Sequence, residues 1–599
     1  VWVKRNEWNS ALRKLEKDLL GSGDLPGGCD CSLDGLHRII QIMRTLDWVV
    51  LLATIGSIVL YGLWKSRKTS TVAGYLLADR SLPWYAVALS IMATQASAVT
   101  FISTTGQAYA DGMRFIQFYF GLPLAMIIVS AFFAPRFRNA NVYTAYEYLE
   151  KRFDAKTRAL VSLIFLIQRG LACGMALYAP AVVLTVIFGW NDSVTTLIMG
   201  IVVTFYTVLG GIRAVAWTDF QQMLIMLVGL FAALFIAVHR LPEGVGFSDA
   251  LLLAASAGKL NAVTTNFDWH DRYNLLSGLI GGTFLALAYF GCDQSQVQRY
   301  LTGRDLDQSR VSLLFNAVAK IPMQFFILLT GAMVFVFYIF TTPPVTFHSG
   351  QLKLKTGTAI EQQHLAAAKQ REKAAIELLK NRDAAHQAAF FEKHKEFEAV
   401  HKEATRGAND TNYVFLTFVT QHLPAGFVGL VIAVIFGAAM SVSSGEINSL
   451  ATVTMVDFYQ RFVKKNSTDT HYLWFSRAAT VFWSVYAVLS AQLARGLGSL
   501  VEAVNLLGSL FYGGLLGVFL LAFFFPRVKG TAAFMGVLAG EAAIFYTHST
   551  GEVGFLWYNV IGCAVVVLSG LIFSIFGQSA SSSLPPLSDD PPQQQSQTP

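Results

Sequence analysis

Hydrophobic residues run along this chain in long unbroken stretches, not in the alternation of a half-buried strand or the one-sided stripe of a surface helix. A helix crossing a bilayer needs about 20 mainly apolar residues. Stretches of that kind lie at 46–64, 84–110, 113–134, 159–188, 193–211, 217–239, 273–297, 311–341, 413–457, 471–492, 498–525, 531–548 and 554–576. The pattern predicts an all-α integral membrane protein with about 13 transmembrane helices.

Three polar segments interrupt the pattern. Residues 1–42 lack the apolar core of a secretory signal, and Met43 opens MRTLDWVVLLATI straight into the first span. The expectation is therefore that translation starts at Met43 and that 1–42 is an upstream extension. Residues 345–412 form a long connection. Within it, 359–405 is rich in Ala, Glu, Lys and Gln with opposite charges four residues apart, which predicts a solvated helix or helical hairpin. We read it as a surface insertion in preference to a cap over the outer entrance. The tail 578–599, rich in Ser, Pro and Gln, is expected to be disordered.

Composition agrees with a membrane protein. Of 599 residues 54% are hydrophobic and 14% charged, where soluble domains carry about 25% charged residues. The mean hydropathy is +0.48. The net charge of +7 is not the footprint of a nucleic-acid partner, because the basic residues sit in alternate short connections. These carry Lys65, Arg67 and Lys68, then Arg136 to Arg158, Arg299 to Arg310, Arg461 to Lys465, and Arg527 with Lys529. The tendency of positive loops to stay inside places them in the cytoplasm. The N-terminus is then outside, the C-terminus inside, and the location the plasma membrane of a bacterial cell. Cys173, Cys292 and Cys563 lie in apolar runs and read as buried thiols, while the CxC of Cys29 and Cys31 does not by itself make a metal site.

No HExxH, GxSxG or Walker-type motif is present, so an enzyme is not the expectation. Polar and ionisable residues inside spans carry the candidate chemistry, since such residues usually line a pathway. The second span, WYAVALSIMATQASAVTFISTTGQAYADG, is dense in small and hydroxylated residues at its middle. A close-packed helical face and a discontinuous helix with freed carbonyls both fit that composition. In FGAAMSVSSGEINSLATV, Gly437, Ser441, Ser444 and Asn448 share one stripe, and Glu446 falls on the opposite side. Oxygens beside glycine suit a hard monovalent cation. Two further segments, TFYTVLGGIRAVAWTDFQQ with Asp219 and FGCDQSQVQRYLTGRD with Asp293 and Arg299, lie at inner span ends, as a polar gate or as ordinary capped helix ends.

Together, YTVLGGIRAVAWTDFQQ, DQSQVQRYL and AAMSVSSGEINSLATVTMVDFY resemble the sodium/solute symporter family, over 43–577. Within it, AYEYLEKRF and MALYAPAVVL are similar to the branch carrying iodide, monocarboxylates and vitamins. The resemblance implies a LeuT-type fold of two inverted five-helix repeats, 84–240 and 273–525. One extra helix (43–64) precedes them and two (531–577) follow. It also implies helices broken near Ala93 to Ser97 and near Gly281 to Ala288. It implies a sodium site built from Ala93, Ala96, Ala438 and Ser441, with Val442 where a second hydroxyl is usual and Ser443 or Ser444 as substitutes. Asp219, with Ser444, marks a candidate second cation site, at which Gly445 replaces a serine. Solute contacts would come from Gln95, Ser97, Thr100, Phe101, Tyr119, Tyr289, Lys320 and Gln324. Arg169 is a candidate contact for an anion.

The function implied is sodium-coupled symport of a small organic solute, an anion by preference, into the cell by alternating access. Sodium is the only cofactor expected, and the solute and the bilayer are the expected partners. Two alternatives stay open: proton coupling through Asp219 or Glu446, and a solute-sensing module acting through a separate protein.

Overall fold

The computed structural model describes residues 43–67, 71–188, 192–347, 359–407, 409–494 and 499–576. The expectations for 1–42 and 578–599, including Cys29 and Cys31, lie outside them. Among the described residues all regular secondary structure is helical, apart from an isolated bridge between Leu82 and Gly303. Helix α1 (Thr45–Ser66) is followed by α2 (Val72–Leu77), α3 (Trp84–Gln95), α4 (Thr105–Asp111), α5 (Leu122–Ile128), α6 (Ala134–Asn139) and α7 (Ala145–Arg152). Then come the long α8 (Ala155–Phe188) and α9 (Asp192–His239), the short α10 (Phe247–Ser256), α11 (Gly282–Gly291) and α12 (Gln294–Leu301), and α13 (Leu306–Phe340). A hairpin of α14 (Ala359–Asn381) and α15 (Ala384–Ala404) precedes α16 (Thr411–His422), α17 (Phe427–Val453), α18 (Asp469–Ser490), α19 (Leu500–Phe524), α20 (Gly530–Thr550) and α21 (Leu556–Phe576).

Nine stretches among the described residues are helical, long and apolar enough to cross a membrane. Large side chains such as Val318, Phe235 and Phe205 stay largely exposed, an arrangement that suits lipid rather than water. The core is the reverse, with an unusual share of buried polar groups gathered around α17, all of whose residues from Val431 to Val453 are buried.

Helix ends and breaks follow local chemistry. The α3 helix stops at Gln95 without glycine or proline, because hydroxyls take over the freed backbone. Thr100 Oγ1 donates to the Gln95 carbonyl at 3.0 Å, and Ser97 Oγ accepts from the Thr100 amide at 3.3 Å. The π-helical turn Thr100–Thr104 then leads into α4. This break lies inside the expected Ala93 to Ser97. The second break does not fall between Gly281 and Ala288. The helix runs on to Gly291 and breaks at Cys292–Asp293, where Asp293 caps α12 by accepting from the amide and hydroxyl of Ser295. The glycines there serve close packing: a Cβ on Gly282 would sit 2.7 Å from the Phe118 carbonyl oxygen.

One other expectation needs correction. The stretch 413–457 is two helices, α16 and α17, divided at Leu423–Gly426. The 359–405 segment is a hairpin, one of the two expected forms, and it is docked: Arg382 pairs with Asp249 of α10, Lys259 with Glu398, and Arg371 donates to the Tyr338 carbonyl of α13. The spans expected at 193–211 and 217–239 are joined in α9 through Gly211, with φ +56° and ψ −162°.

Gly211 needs its missing side chain twice over. Its φ is strained for an L-residue, and a Cβ would lie 2.6 Å from the Tyr75 carbonyl oxygen. Gly211→Val should therefore cost more than the roughly 1–3 kcal/mol of a sparsely populated backbone conformation alone. Gly56→Ala, where a Cβ meets nothing within 4 Å, should be neutral or stabilising. Thermal midpoints of the detergent-purified variants would check the contrast.

Candidate functional site

The break in α3 opens onto a cavity of about 140 Å³. Its wall takes Gln95, Ser97 and Thr100 from the break, Tyr119 and Tyr289 from facing elements, Gln168 and Arg169 from α8, and Val442 and Glu446 from α17. Of the residues expected to meet solute, Gln95, Ser97, Thr100, Tyr119 and Tyr289 thus share one cavity. Phe101, Lys320 and Gln324 are buried but do not line it. Lys320 stands just behind the wall. Its Nζ donates to the Gln95 carbonyl at 3.4 Å and lies 5.1 Å from the centre of the Tyr119 ring. Gln324 is fully buried with both amide atoms unpartnered.

Arg169 reaches the cavity with its charge already engaged. One nitrogen bonds Glu446 Oε1 at 2.8 Å, and the other contacts Asp293 and the Tyr512 hydroxyl, which itself donates to Asp293 at 3.1 Å. One guanidinium thus ties α8, the second break, α17 and α19 together. The geometry revises the expectation of a free anion contact: only Nε of Arg169 and Oε2 of Glu446 remain unpartnered. It also explains Glu446, which faces away from the serine stripe because its partner lies on α8. Asp293, expected at a gate, is part of this cluster. Tyr512 was missed, since nothing in its apolar run marks it. Charge accounting could have found the cluster, because an arginine inside the membrane requires a partner among few available acids.

The serine stripe faces α9. Ser441 donates to Asp219, whose second oxygen accepts from Ser90 Oγ at 2.6 Å and stands 3.5 Å from Arg299 Nη2. Ala93 lies three residues after Ser90 on α3, and Ala438 three before Ser441 on α17, so each follows the face of its helix that meets Asp219. Ala96, fully buried, caps the end of α3. Ser444 turns back to the Ser441 carbonyl at 3.1 Å, while the Ser443 hydroxyl is buried and unpartnered. Val442 faces the solute cavity. Gly445 leaves room for Arg299, whose Nη2 would lie 2.0 Å from a Cβ there. Asp219 and Glu446, grouped as one candidate cation or proton site, therefore belong to separate charge clusters on opposite sides of α17.

A broken helix between a largely apolar cavity with a few polar groups in its wall and a buried oxygen cluster, within an apolar helical shell, defines a secondary transporter. Comparison with known proteins agrees. The sodium:solute symporter family matches residues 75–380 and 387–540, and the chain belongs to it: a transporter, not an enzyme. The sodium/sialic acid symporter NanT of Aliivibrio fischeri is 27% identical over 537 residues, covering 89% of this chain and 93% of that protein. The sodium-coupled monocarboxylate transporter 2 of Mus musculus is 27% identical over 482 residues, 80% and 68% of the two chains. A solved outward-open, substrate-bound Na+-coupled sialic acid symporter has the same fold, with a TM-score of 0.72 at 23% identity, covering 89% of this chain and 98% of that one.

Removing one member of a buried ion pair costs about 3–5 kcal/mol, because the remaining charge is left uncompensated. Arg169→Ala strands two carboxylates and should fall in or above that range. Glu446→Gln keeps a hydrogen-bond acceptor and should cost less. Unfolding titrations of the two variants in mixed micelles would test the order.

Proposed function

We propose that the chain carries a small carboxylate across the membrane with sodium, by alternating access around the break in α3. That break carries the reading. A single run of backbone, Ser90 to Thr100, carries Ser90, which bonds Asp219, and Gln95, Ser97 and Thr100, which line the cavity, with Ala93 and Ala96 in the same run. Sodium held by the Ala93, Ala96 and Ala438 carbonyls and the Ser441 hydroxyl would fix the shape of the break. It would thereby raise affinity for solute, and linkage makes the effect reciprocal. The carboxylate of Asp219 makes up for the hydroxyl that Val442 does not supply.

The anionic solute follows from Lys320. It is fully buried and has no carboxylate partner among the described residues. A solute carboxylate at Gln95 and Tyr119 would bring the opposite charge that the site itself lacks. The names of the relatives, a sialic acid and a monocarboxylate symporter, fit the same chemistry. The two five-helix repeats would enclose the site. The Lys/Arg-rich connections would face the cytoplasm of a bacterial cell, with the N-terminus outside. On that orientation the inner end is closed here, because every residue of α12 is buried, with Gln298 bonded to the Leu76 carbonyl at 2.6 Å and to Thr452 at 3.1 Å. Arg299 and sodium would both draw on Asp219, which links cation binding to this closed end.

A ligand that binds only the folded state stabilises it, by about 2.7 kcal/mol at 100 times its dissociation constant. Sodium, exchanged for potassium at equal ionic strength, should raise the thermal midpoint of the purified protein, and Ser441→Ala should abolish the rise. A midpoint that follows pH and ignores sodium would overturn sodium coupling. For the solute, Lys320→Met should raise KM in sodium-driven vesicle uptake of a transported carboxylate by tenfold or more, the scale of a lost charged hydrogen bond of about 1.5–3 kcal/mol. An unchanged KM would remove Lys320 from the site.

A further inference from the structure

A second cavity, of about 330 Å³, lies between the α14–α15 hairpin and the ends of α4 and α13. Arg371 of α14 lines it and is 1% exposed. Its guanidinium packs 3.9 Å from the centre of the Phe397 ring and donates to the Tyr338 carbonyl at 2.6 Å, and its Nε has no partner. No carboxylate pairs with it among the described residues. The acids of the same cavity are engaged elsewhere. Glu398 bonds Lys259 at 3.1 Å and His394 at 3.2 Å, and Asp410 accepts from the Phe347 amide at 2.7 Å. His394, 3% exposed, gives its Nε2–H to Glu398, so its unpartnered Nδ1 is an acceptor and adds nothing to the binding of an anion. A buried cation is costly unless paired, and here the space for a counter-charge is present while the side chain to fill it is not.

We infer that this cavity is a binding site for a small monovalent anion, a halide or a short carboxylate, held by Arg371 beneath the hairpin. The site goes beyond the central cavity and does not depend on which solute that cavity takes. Burial draws Arg371 down to about 10, against the pull of nearby Tyr109 and Glu398, which marks how poorly its charge is compensated. Glu398 lends only part of a counter-charge: burial pushes it up, but the bond to His394 and the charge of Lys259 outweigh this and hold it down at about 2, in an ion pair with Lys259. The location gives the anion a route to the transport machinery. Tyr109 and Ala110 of α4 line this cavity, Lys259 Nζ holds the Ala110 carbonyl at 2.6 Å, and the turn preceding α4 reaches the central cavity through Thr100.

The test uses the full-length purified protein at constant sodium, with sodium lactobionate, too bulky for the cavity, replaced stepwise by sodium chloride or sodium acetate. The expected result is a saturable rise in thermal midpoint with at least one small anion. Chloride alone identifies a halide site, acetate alone a carboxylate site, and both a site for either; each supports the inference. The rise should vanish in Arg371→Gln and persist in Lys320→Met. Persistence in the last separates this site from the central one, so failure of the solute reading would not be mistaken for failure here. Broadening of the chloride-35 resonance by native protein, lost in Arg371→Gln, gives a readout independent of stability. No saturable difference between small anions and lactobionate, together with no broadening, would overturn the inference, as would a rise left intact in Arg371→Gln or abolished in Lys320→Met.

Discussion

Charge buried inside an apolar shell has to be compensated within the protein, and that requirement organises this structure. Arg169 is the centre of it. With Asp293, Glu446 and Tyr512 it joins four segments distant in sequence. Moving α19 alone would remove the Tyr512 hydroxyl that bonds both Arg169 and Asp293, and repositioning α8, the second break or α17 alone would strand a charge. The cost of that, several kcal/mol for each unpaired ion, is comparable to the stability of a whole domain. The elements that meet here are therefore constrained to move together or to exchange one complete pairing for another.

The same rule accounts for the breaks. A helix can end inside a membrane only if its freed carbonyls and amides find partners. At Gln95 the partners are the Ser97 and Thr100 hydroxyls, and at Cys292 the Tyr146 hydroxyl and the Asp293 cap. Both breaks draw on side chains from the next turn, which lets the backbone depart from a helix while staying dry. Serines and threonines crowded into a span poor in leucine fit a packed face as well as a break, and it is the family resemblance that puts the first break near Ala93 to Ser97. The same resemblance puts the second too early, from the glycines at 281 and 282 onward. Their actual use is to let the backbones of Gln117 and Phe118 approach, while the stop comes from an Asp-x-Ser cap that looks like an ordinary helix start.

What could be read from sequence was whatever periodicity and hydropathy report: spans, their order, the serine stripe and the isolation of Glu446 from it. Pairings between distant segments leave no such trace. Arg169 looked available for an anion because its acids lie more than 100 residues away; Gly445 looked like a lost ligand, yet it makes space for Arg299. In each case the local sequence was read correctly as unusual and the reason lay in a partner that only the tertiary structure supplies. The hairpin shows the opposite limit. Its helices follow from composition, but their docking rests on single long-range bonds, such as Arg382 to Asp249.

The two cavities also differ in a way that bears on how each can discriminate. In the central cavity the arginine is already neutralised, so the wall offers hydroxyls, amides, aromatic and aliphatic faces, and Lys320, without a carboxylate partner among the described residues, stands behind it. A solute bound there would meet one cation behind the wall, which favours a carboxylate, and polar groups that penalise a solute unable to satisfy them. Beneath the hairpin the arginine is the uncompensated group and the acids are spoken for. Recognition there is set by charge and size, with little to distinguish one small anion from another. The two cavities share one segment: α4 lines the cavity beneath the hairpin through Tyr109 and Ala110, and the turn before α4 lines the central one through Thr100.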